Sequence, residues 1–442
     1  MTPKELARQK ISQADKVICT GFEARMQGVE DMATIKEAEG APIFDATREA
    51  EVLAMGRDFI KDKRFASLYA ELLRCEMALS KDYQMFRRAE QAALSLPTPA
   101  VCLPVVSRFG SYPIIIGNGI RQHLTKFMPN AEKILIVTEC DVPYAYTQLV
   151  KDQFPQAKIM IMPGGEECKS VSWYTRLLKL LAEYHFTRKD MMIAVGGGVV
   201  SDIVGYVASA YMRGIAYYTI PTTLLAMADA SVGGKTALNL TGVKNLVGAF
   251  YPPKQVIIDP EVLTTLHERH LHSGMAEIIK MATTNDAELF ETLETVKADH
   301  IDYVDILKRA LLVKIALVEA DECETGKRRL LNFGHTLAHA IEGYSGLSGE
   351  YTHGEAVALG MLPFCAEGVR GRLASLLSKF QLPVAFQGEM RDVLPFALKD
   401  KKSDGDGLHE VFVDEIGQGY VKHITIEEWK GISFGKESEV NA

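Results

Sequence analysis

Apolar residues recur at three- and four-residue intervals through 5–36, 46–60 and 65–93, with breaks at Gly40-Ala41-Pro42 and at the charged run KDKR of 61–64. That period places one apolar stripe on each of three helices, and almost no strand-like alternation interrupts them. The first helix is long: about thirty residues span roughly 45 Å. That exceeds what a ninety-residue monomer needs and predicts packing against a second copy. A proline-rich stretch, LSLPTPAVCLP at 94–104, leads into a different texture. Short apolar runs, KILIVT at 133–138, AKIMIM at 157–162, MMIAVGGG at 191–198 and YYTIPTT at 217–223, now alternate with helical segments. Such alternation of buried strand and helix predicts a parallel sheet in an α/β domain. From about residue 263 the strands stop and long amphipathic segments take over. The pattern predicts an all-α unit over 1–93, a linker over 94–104, an α/β domain over 105–262 and a mostly helical domain over 263–442.

Composition narrows the function classes. With 442 residues, 47% of them hydrophobic, the chain buries a large core and has room for two or three domains. A net charge of −8 gives no reason to expect a nucleic-acid or anionic-membrane partner, so bound phosphates must be held by local cationic clusters. The seven cysteines form no C-x-x-C pair and are odd in number, which fits reduced thiols. No apolar stretch follows the charges of MTPKELARQK, and no run of about 18 apolar residues occurs. The expectation is an untargeted cytoplasmic protein.

In the helical segment, Arg25 lies in FEARMQ, Lys36 in MATIKEAEGAPIFD, Arg48-Glu49 in DATREAEVL, and the segment closes with SKDYQ. Each charge alone reads as ordinary helix surface. Their order and spacing together resemble the all-helical chorismate mutases over essentially the whole segment. The resemblance places Arg8, Arg25, Lys36, Asp45, Arg48, Glu49, Ser80 and Gln84 at active-site positions. It implies a pericyclic rearrangement of chorismate to prephenate, for which the site needs only to hold a compact dicarboxylate and stabilise charge on the breaking ether oxygen. Arginines would clamp carboxylates, Lys36 and Gln84 would donate to the ether oxygen, and Glu49 would accept the substrate hydroxyl. It also implies an intertwined homodimer in which Arg8 reaches the partner's site. A module that senses chorismate or prephenate and regulates the following domain is the alternative reading.

ADASVGGKT, 228–236, ends like a nucleotide-triphosphate loop, but that loop needs a glycine where Asp229 stands. A carboxylate there repels a polyphosphate. Upstream, MMIAVGGGVVSD sets Gly196 and Gly198 in a turn between strand and helix, with Ser201 at the last position of a G-x-G-x-x-G pattern. The continuation through NLTGVKNLVGAFYPP resembles dehydroquinate synthase, and the likeness runs from about residue 105 to the C-terminus. It implies that Lys235 of GGKT contacts a sugar phosphate, in a cleft shared with Arg213, Lys244 and Asn245. It assigns Gly197, Gly198, Val199, Asp202, Thr222, Thr223 and Asp229 to NAD, with Lys244 and Asn245 also beside the cofactor and Glu166 and Lys169 of PGGEECKS near its adenosine end. Glu139, after KILIVT, stands where a carboxylate takes ribose hydroxyls, which favours NAD over its 2′-phosphorylated form.

The segments HSGMAEIIK, LNFGHTLAHAIE and YTHGEAVALG supply Glu277, His335 and His353, a His₂-carboxylate set suited to a catalytic divalent metal. The resemblance assigns these three to the metal, Zn or Co. It assigns Lys280, Lys314, Arg328, Asn332, His339 and one lysine of DKK, Lys401 or Lys402, to the phosphate and hydroxyls of the substrate. The substrate implied is a heptulosonate 7-phosphate. A cyclase acting on another sugar phosphate is the alternative; the related metal-dependent polyol dehydrogenases, whose substrates carry no phosphate, lack the cations Arg213, Lys235, Lys244 and those of DKK. The chain thus reads as a multidomain fusion: a three-helix chorismate mutase-like domain, a dehydroquinate synthase-like α/β dinucleotide-binding domain and a mostly helical metal-binding domain.

Overall fold

The structure is a computed structural model that describes residues 1–241, 243–324, 326–346, 350–387, 392–393, 395–396 and 407–434. It divides into two compact units, Met1–Ser95 and Leu96–Ala442.

The first unit is three helices: α1 (Pro3–Glu39), α2 (Ala46–Phe59) and α3 (Ala66–Leu94). Thr2 and Glu5 form a capping box at the start of α1, and Gly40, at φ 64°, ends it in the left-handed conformation that a side chain disfavours. The Asp45 carboxylate caps α2 by accepting from the Arg48 amide. Within α3, Ala70, Leu73, Met77, Ser80 and Gln84 are buried. α1 is otherwise: from Pro3 to Ala24 every residue is exposed, including Leu6, Ile11, Val17, Ile18 and Phe22.

The second unit is built on a seven-stranded sheet in the order β1-β2-β9-β6-β5-β3-β4, from β1 (Val101–Val105), β2 (Tyr112–Ile116), β3 (Ile134–Glu139), β4 (Lys158–Met162), β5 (Met191–Gly196), β6 (Ala216–Pro221) and β9 (Gln255–Ile258). All pairs are parallel except β1 with β2. Buried on both faces, β3 and β5 read as near-continuous apolar runs. The helices α4 (Tyr144–Gln153), α5 (Val171–Glu183) and α6 (Gly198–Ala210) connect them. From β3 the chain passes to β4 on one side and returns to β5 on the other. The order therefore reverses between β3 and β5, and a crevice opens at their carboxyl ends.

Two expectations are corrected. Residues 101–104 of the expected linker belong to β1; Pro104, which lacks an amide donor, is tolerated because β1 is the sheet's edge. Strands also do not stop at 263: β10 (Gly407–Val413) pairs antiparallel with β11 (Gly419–Thr425). Between the sheet and the helical region, β7 (Lys235–Leu240) and β8 (Val243–Phe250) form a separate hairpin. The other described elements are helical and include α7 (Glu268–Asn285), α8 (Ala287–Thr295), α9 (Tyr303–Ala320), α10 (His335–Ser345), α11 (His353–Met361) and α12 (Glu367–Lys379). Two glycines let the helical layer close. A Cβ on Gly354 would sit 2.0 Å from the Ser273 carbonyl oxygen, and one on Gly360 would sit 2.1 Å from that of Gly334. Backbone thus meets backbone where α11 crosses α7 and the start of α10.

Candidate active sites

In the second unit, Glu277 projects from α7, while His335 and His353 are the first residues of α10 and α11. One ligand atom from each lies within 4.8 Å of the others, and among the described residues this is the one group of three or more His, Cys, Asp or Glu side chains so placed. Glu277 Oε1 is 3.4 Å from His353 Nε2 and 3.7 Å from His335 Nε2. The other ring nitrogens face outward: His335 Nδ1 lies 3.2 Å from the Phe333 carbonyl oxygen, and His353 Nδ1 lies 3.4 Å from Glu342 Oε2. Each imidazole is thereby oriented with Nε2 toward Glu277.

Burial would raise the Glu277 carboxyl, but Lys280 and the two imidazoles hold it well below its ordinary value. Burial, aided by the Lys280 ammonium, pushes His335 down to about 3, leaving its ring neutral and able to ligate. Against burial, Glu277 and Glu342 hold His353 up at about 10, so a cation is favoured at this spot. Neither Glu277 oxygen has a hydrogen-bond partner of good geometry, although both are fully buried and Lys280 pairs with one of them. Two imidazoles and a fully buried carboxylate fit a divalent ion.

Around this centre the expected cations converge in pairs. Lys314 Nζ on α9 is 2.6 Å from Asp229 Oδ1 and also donates to the Asp229 carbonyl at 2.5 Å. Asp229 lies in a π-helical turn, Ala226–Ala230, of the kind that often marks functional positions. Burial raises the Asp229 carboxyl, Lys314 more than offsets it, and burial lowers Lys314 in turn. Arg328 is buried, its guanidinium donating to the Glu322 carbonyl at 2.7 Å. Lys235 and Asn332 share one partner, the carboxylate of Glu324. Lys244 pairs with Glu342 at 3.0 Å. The His339 ring stands edge-on 5.8 Å from that of His335. Lys401 and Lys402 lie outside the described residues.

At the crevice, β5 runs into Gly197 and Gly198, and the Gly197 amide donates to Glu139 Oε1 at 3.4 Å from the end of β3. Burial pushes the Glu139 carboxyl up against that hydrogen bond. A Cβ on Gly197 would meet the Thr223 side chain at 3.2 Å, so glycine keeps this turn open. The Thr222 amide bonds the Gly196 carbonyl, and Val199 lies in the first turn of α6. Ser201 fits its position because its hydroxyl donates to the Gly198 carbonyl at 3.0 Å within α6. Beside the turn, Lys169 bonds Asp202 at 2.7 Å, pairs with Glu166 at 3.6 Å and bonds the Asn245 side chain. Burial pushes Asp202 up to about 6 despite Lys169. The structure also answers the GGKT question: Lys235 opens a β-hairpin rather than a helix, so no helix N-terminus is available for a triphosphate.

Arg213 is not brought to this cluster within the chain. It lies exposed at φ 65° before β6 begins, at the amino edge of the sheet, whereas the site gathers at the carboxyl edge.

In the first unit, Arg25 bonds the Ser80 hydroxyl, the Glu76 carbonyl at 3.1 Å and the Glu76 carboxylate at 3.4 Å. Gln84, one turn beyond Ser80, is buried, and its Oε1 has no partner. Lys36 donates to the Ile43 carbonyl at 2.7 Å, Arg48 pairs with Glu51 at 3.0 Å, and Glu49 pairs with Lys81 at 2.9 Å. Arg8 is not with them: it sits on the same continuous helix as Arg25, about 25 Å along the axis.

Residues 159–273 match the 3-dehydroquinate synthase N-terminal family and residues 274–403 its C-terminal counterpart. The 3-dehydroquinate synthase of Clostridium botulinum (strain Alaska E43 / Type E3) is 39% identical over 343 residues, covering 72% of this chain and 97% of that protein. The chain belongs to the 3-dehydroquinate synthase family. The synthase of Lactiplantibacillus plantarum is 38% identical over 352 residues, 74% of this chain and 98% of its own. Residues 7–85 match chorismate mutase type II, so a mutase domain precedes the synthase domains. Among solved structures, a 2-deoxy-scyllo-inosose synthase complexed with carbaglucose-6-phosphate, NAD+ and Co2+ shares the fold at TM-score 0.69 and 23% identity, over 75% of this chain and 99% of its own. A 2-epi-5-epi-valiolone synthase from Streptomyces hygroscopicus subsp. jinggangensis, with NAD+ and Zn2+ bound, matches at TM-score 0.65 and 27% identity, over 75% and 97%.

Three polar residues of the synthase unit escaped the sequence reading. Glu342 backs His353, Glu324 ties Lys235 to Asn332, and Asn239 bonds Glu166 at 2.8 Å while accepting from the Asn245 amide at 2.9 Å. A single signal existed for Glu342, which lies seven residues after His335 and so on the same face of α10.

Proposed function

We propose that this chain is a bifunctional enzyme of aromatic biosynthesis, converting 3-deoxy-D-arabino-heptulosonate 7-phosphate to 3-dehydroquinate and phosphate in the second unit, and chorismate to prephenate in the first. The observation that carries the synthase reading is the Glu277, His335 and His353 set, its buried carboxylate paired with Lys280 and with the buried Lys314–Asp229 pair beside it. NAD would take up and return a hydride, and a Zn2+ or Co2+ ion held by Glu277, His335 and His353 would polarise a ring oxygen of the substrate. The glycine turn at 196–198, with Glu139, Thr222 and Thr223, would receive the dinucleotide at the crevice, and Lys169, Asp202 and Glu166 would border its adenosine end. Lys235, Lys244, Asn245, Arg328 and Asn332 would hold the phosphate and hydroxyls. Lys235 and Asn332 now meet the Glu324 carboxylate and Lys244 that of Glu342, which supports an anionic ligand for these three. Lys314 and Lys280 supply positive charge close to the metal set, so a carbanion forming beside it is screened rather than protonated by a strong acid.

In the first unit, Arg25 and Arg48 would clamp the two carboxylates, Lys36 and Gln84 would face the ether oxygen, and Glu49 would take the ring hydroxyl. The burial of Ser80 and Gln84 on one face of α3, with Arg25 donating to Ser80, supports a ligand at that spot. The exposed apolar stripe of α1, and Arg8 at its far end, support a homodimer in which each Arg8 completes the other copy's site. We place the enzyme in the cytoplasm; among the described residues no helix is long and apolar enough to cross a membrane.

The test is phosphate release from the heptulosonate 7-phosphate with NAD and Zn2+, run beside chorismate loss on the same full-length protein. His335→Ala abolishes the first and spares the second. Phosphate release that survives both this substitution and chelation refutes the metal assignment.

A further inference from the structure

The face of α3 that carries Ser80 and Gln84 also carries Lys81, because positions 77, 80, 81 and 84 share one side of a helix. Lys81 lies in SKDYQ, the stretch that closes the likeness to the mutases, but is none of the active-site positions assigned from it. Its ammonium lies 2.9 Å from Glu49 Oε1 on α2 and 5.4 Å over the centre of the Phe44 ring, one residue before the cap of α2. An ion pair and an aromatic face together fix where the ammonium sits. The neighbouring cations are engaged elsewhere: Arg48 with Glu51, Arg25 with Ser80 and Glu76, and Lys36 with the Ile43 carbonyl. Glu49 needs such a partner for two reasons. An unpaired carboxylate repels a dicarboxylate ligand, and a long side chain free to change rotamer costs binding entropy when it is ordered.

We propose that Lys81 is a positioning residue of the mutase site, holding Glu49 so that its carboxylate accepts from the ring hydroxyl of the dicarboxylate substrate. This rests on the mutase reading of the first unit. Lys81→Met in the full chain raises KM for chorismate about two- to fivefold, the range expected for an ion pair about one-third exposed, and leaves kcat within about twofold. Lys81→Arg restores most of the loss. In a Glu49→Gln background the Lys81→Met penalty disappears, since the two side chains act as one unit. An analogue carrying hydrogen in place of the ring hydroxyl separates positioning from mere structure: wild type and Lys81→Met handle it equally.

An unchanged KM for chorismate overturns the proposal, as does an equal loss on chorismate and on the deoxy analogue. If the wild type binds chorismate without converting it, the same comparison is read in Kd, and the mutase reading fails while the role of Lys81 stands or falls on the ratio. If the wild type neither converts nor binds chorismate, both are refuted. Thermal melts accompany each variant; the side chain is about one-third exposed, so loss of fold is not expected.

Discussion

Replacing Glu342 with glutamine tests whether the metal set is held from behind. Glu342 Oε2 lies 3.4 Å from His353 Nδ1, and its other oxygen is 3.0 Å from Lys244 Nζ. Burial would raise this carboxyl, yet His353 and Lys244 keep it well below its ordinary value, so it is ionised at neutral pH. A negative charge at Nδ1 fixes the ring and makes Nε2 a better ligand. Glutamine keeps the shape and a hydrogen-bond acceptor but loses the charge. Removal of such partners weakens metal affinity 10- to 100-fold, or about 1.4 to 2.7 kcal/mol. The substitution also frees Lys244, but that lysine is half exposed, and a pair of that kind contributes under about 1 kcal/mol. The control is therefore Lys244→Met, which changes metal affinity by less than about threefold. Zn2+ competition against a fluorescent chelator measures both variants without any substrate. Wild-type affinity in Glu342→Gln, or equal losses in the two variants, would show that His353 needs no support from α10.

Gly354→Ala places a methyl against the Ser273 carbonyl, 2.0 Å away, and must push α11 off α7. It should destabilise the second unit by about 2–3 kcal/mol and weaken metal binding, seen as a lower denaturation midpoint and a raised Zn2+ Kd. Asp202 is raised from 3.8 to about 6, so the folded chain takes up this proton before the unfolded chain does. Its contribution to stability is fully present below about pH 4 and is lost as pH rises through about 6, a swing on the order of 2–3 kcal/mol. Asp202→Asn lacks that slope, and a wild-type minus variant difference in urea stability that is flat between pH 4 and 7 contradicts the assignment. Gln84→Ala should lower chorismate turnover by about 10² or more, since a donor to the ether oxygen acts mainly in the transition state. Near-normal turnover removes Gln84 from the site.

Helical spacing over 5–93 and the alternation of KILIVT, MMIAVGGG and YYTIPTT with helices were enough to anticipate the three-helix unit and the parallel sheet. Both patterns arise from local burial, which each short window records by itself. Glu277, His335 and His353 were legible as a set only through resemblance, because nothing in their spacing of 58 and 18 residues says that three helices meet. Glycine contacts at Gly354 and Gly360 decide that meeting, by letting α11 approach α7 and α10 backbone to backbone. The residues that escaped notice, Glu342, Glu324 and Asn239, matter only for the partner each reaches across the chain. Contacts across the chain likewise leave Arg213 at the amino edge of the sheet, and Arg8, expected to serve a partner's site, lies about 25 Å from Arg25 along α1. The sequence by itself determined the elements, their order and the chemistry available to them. Tertiary structure alone decided which charges are neutralised, which ring nitrogens face the metal set and which carboxylates hold the cations, because those follow from contacts between segments far apart in the chain.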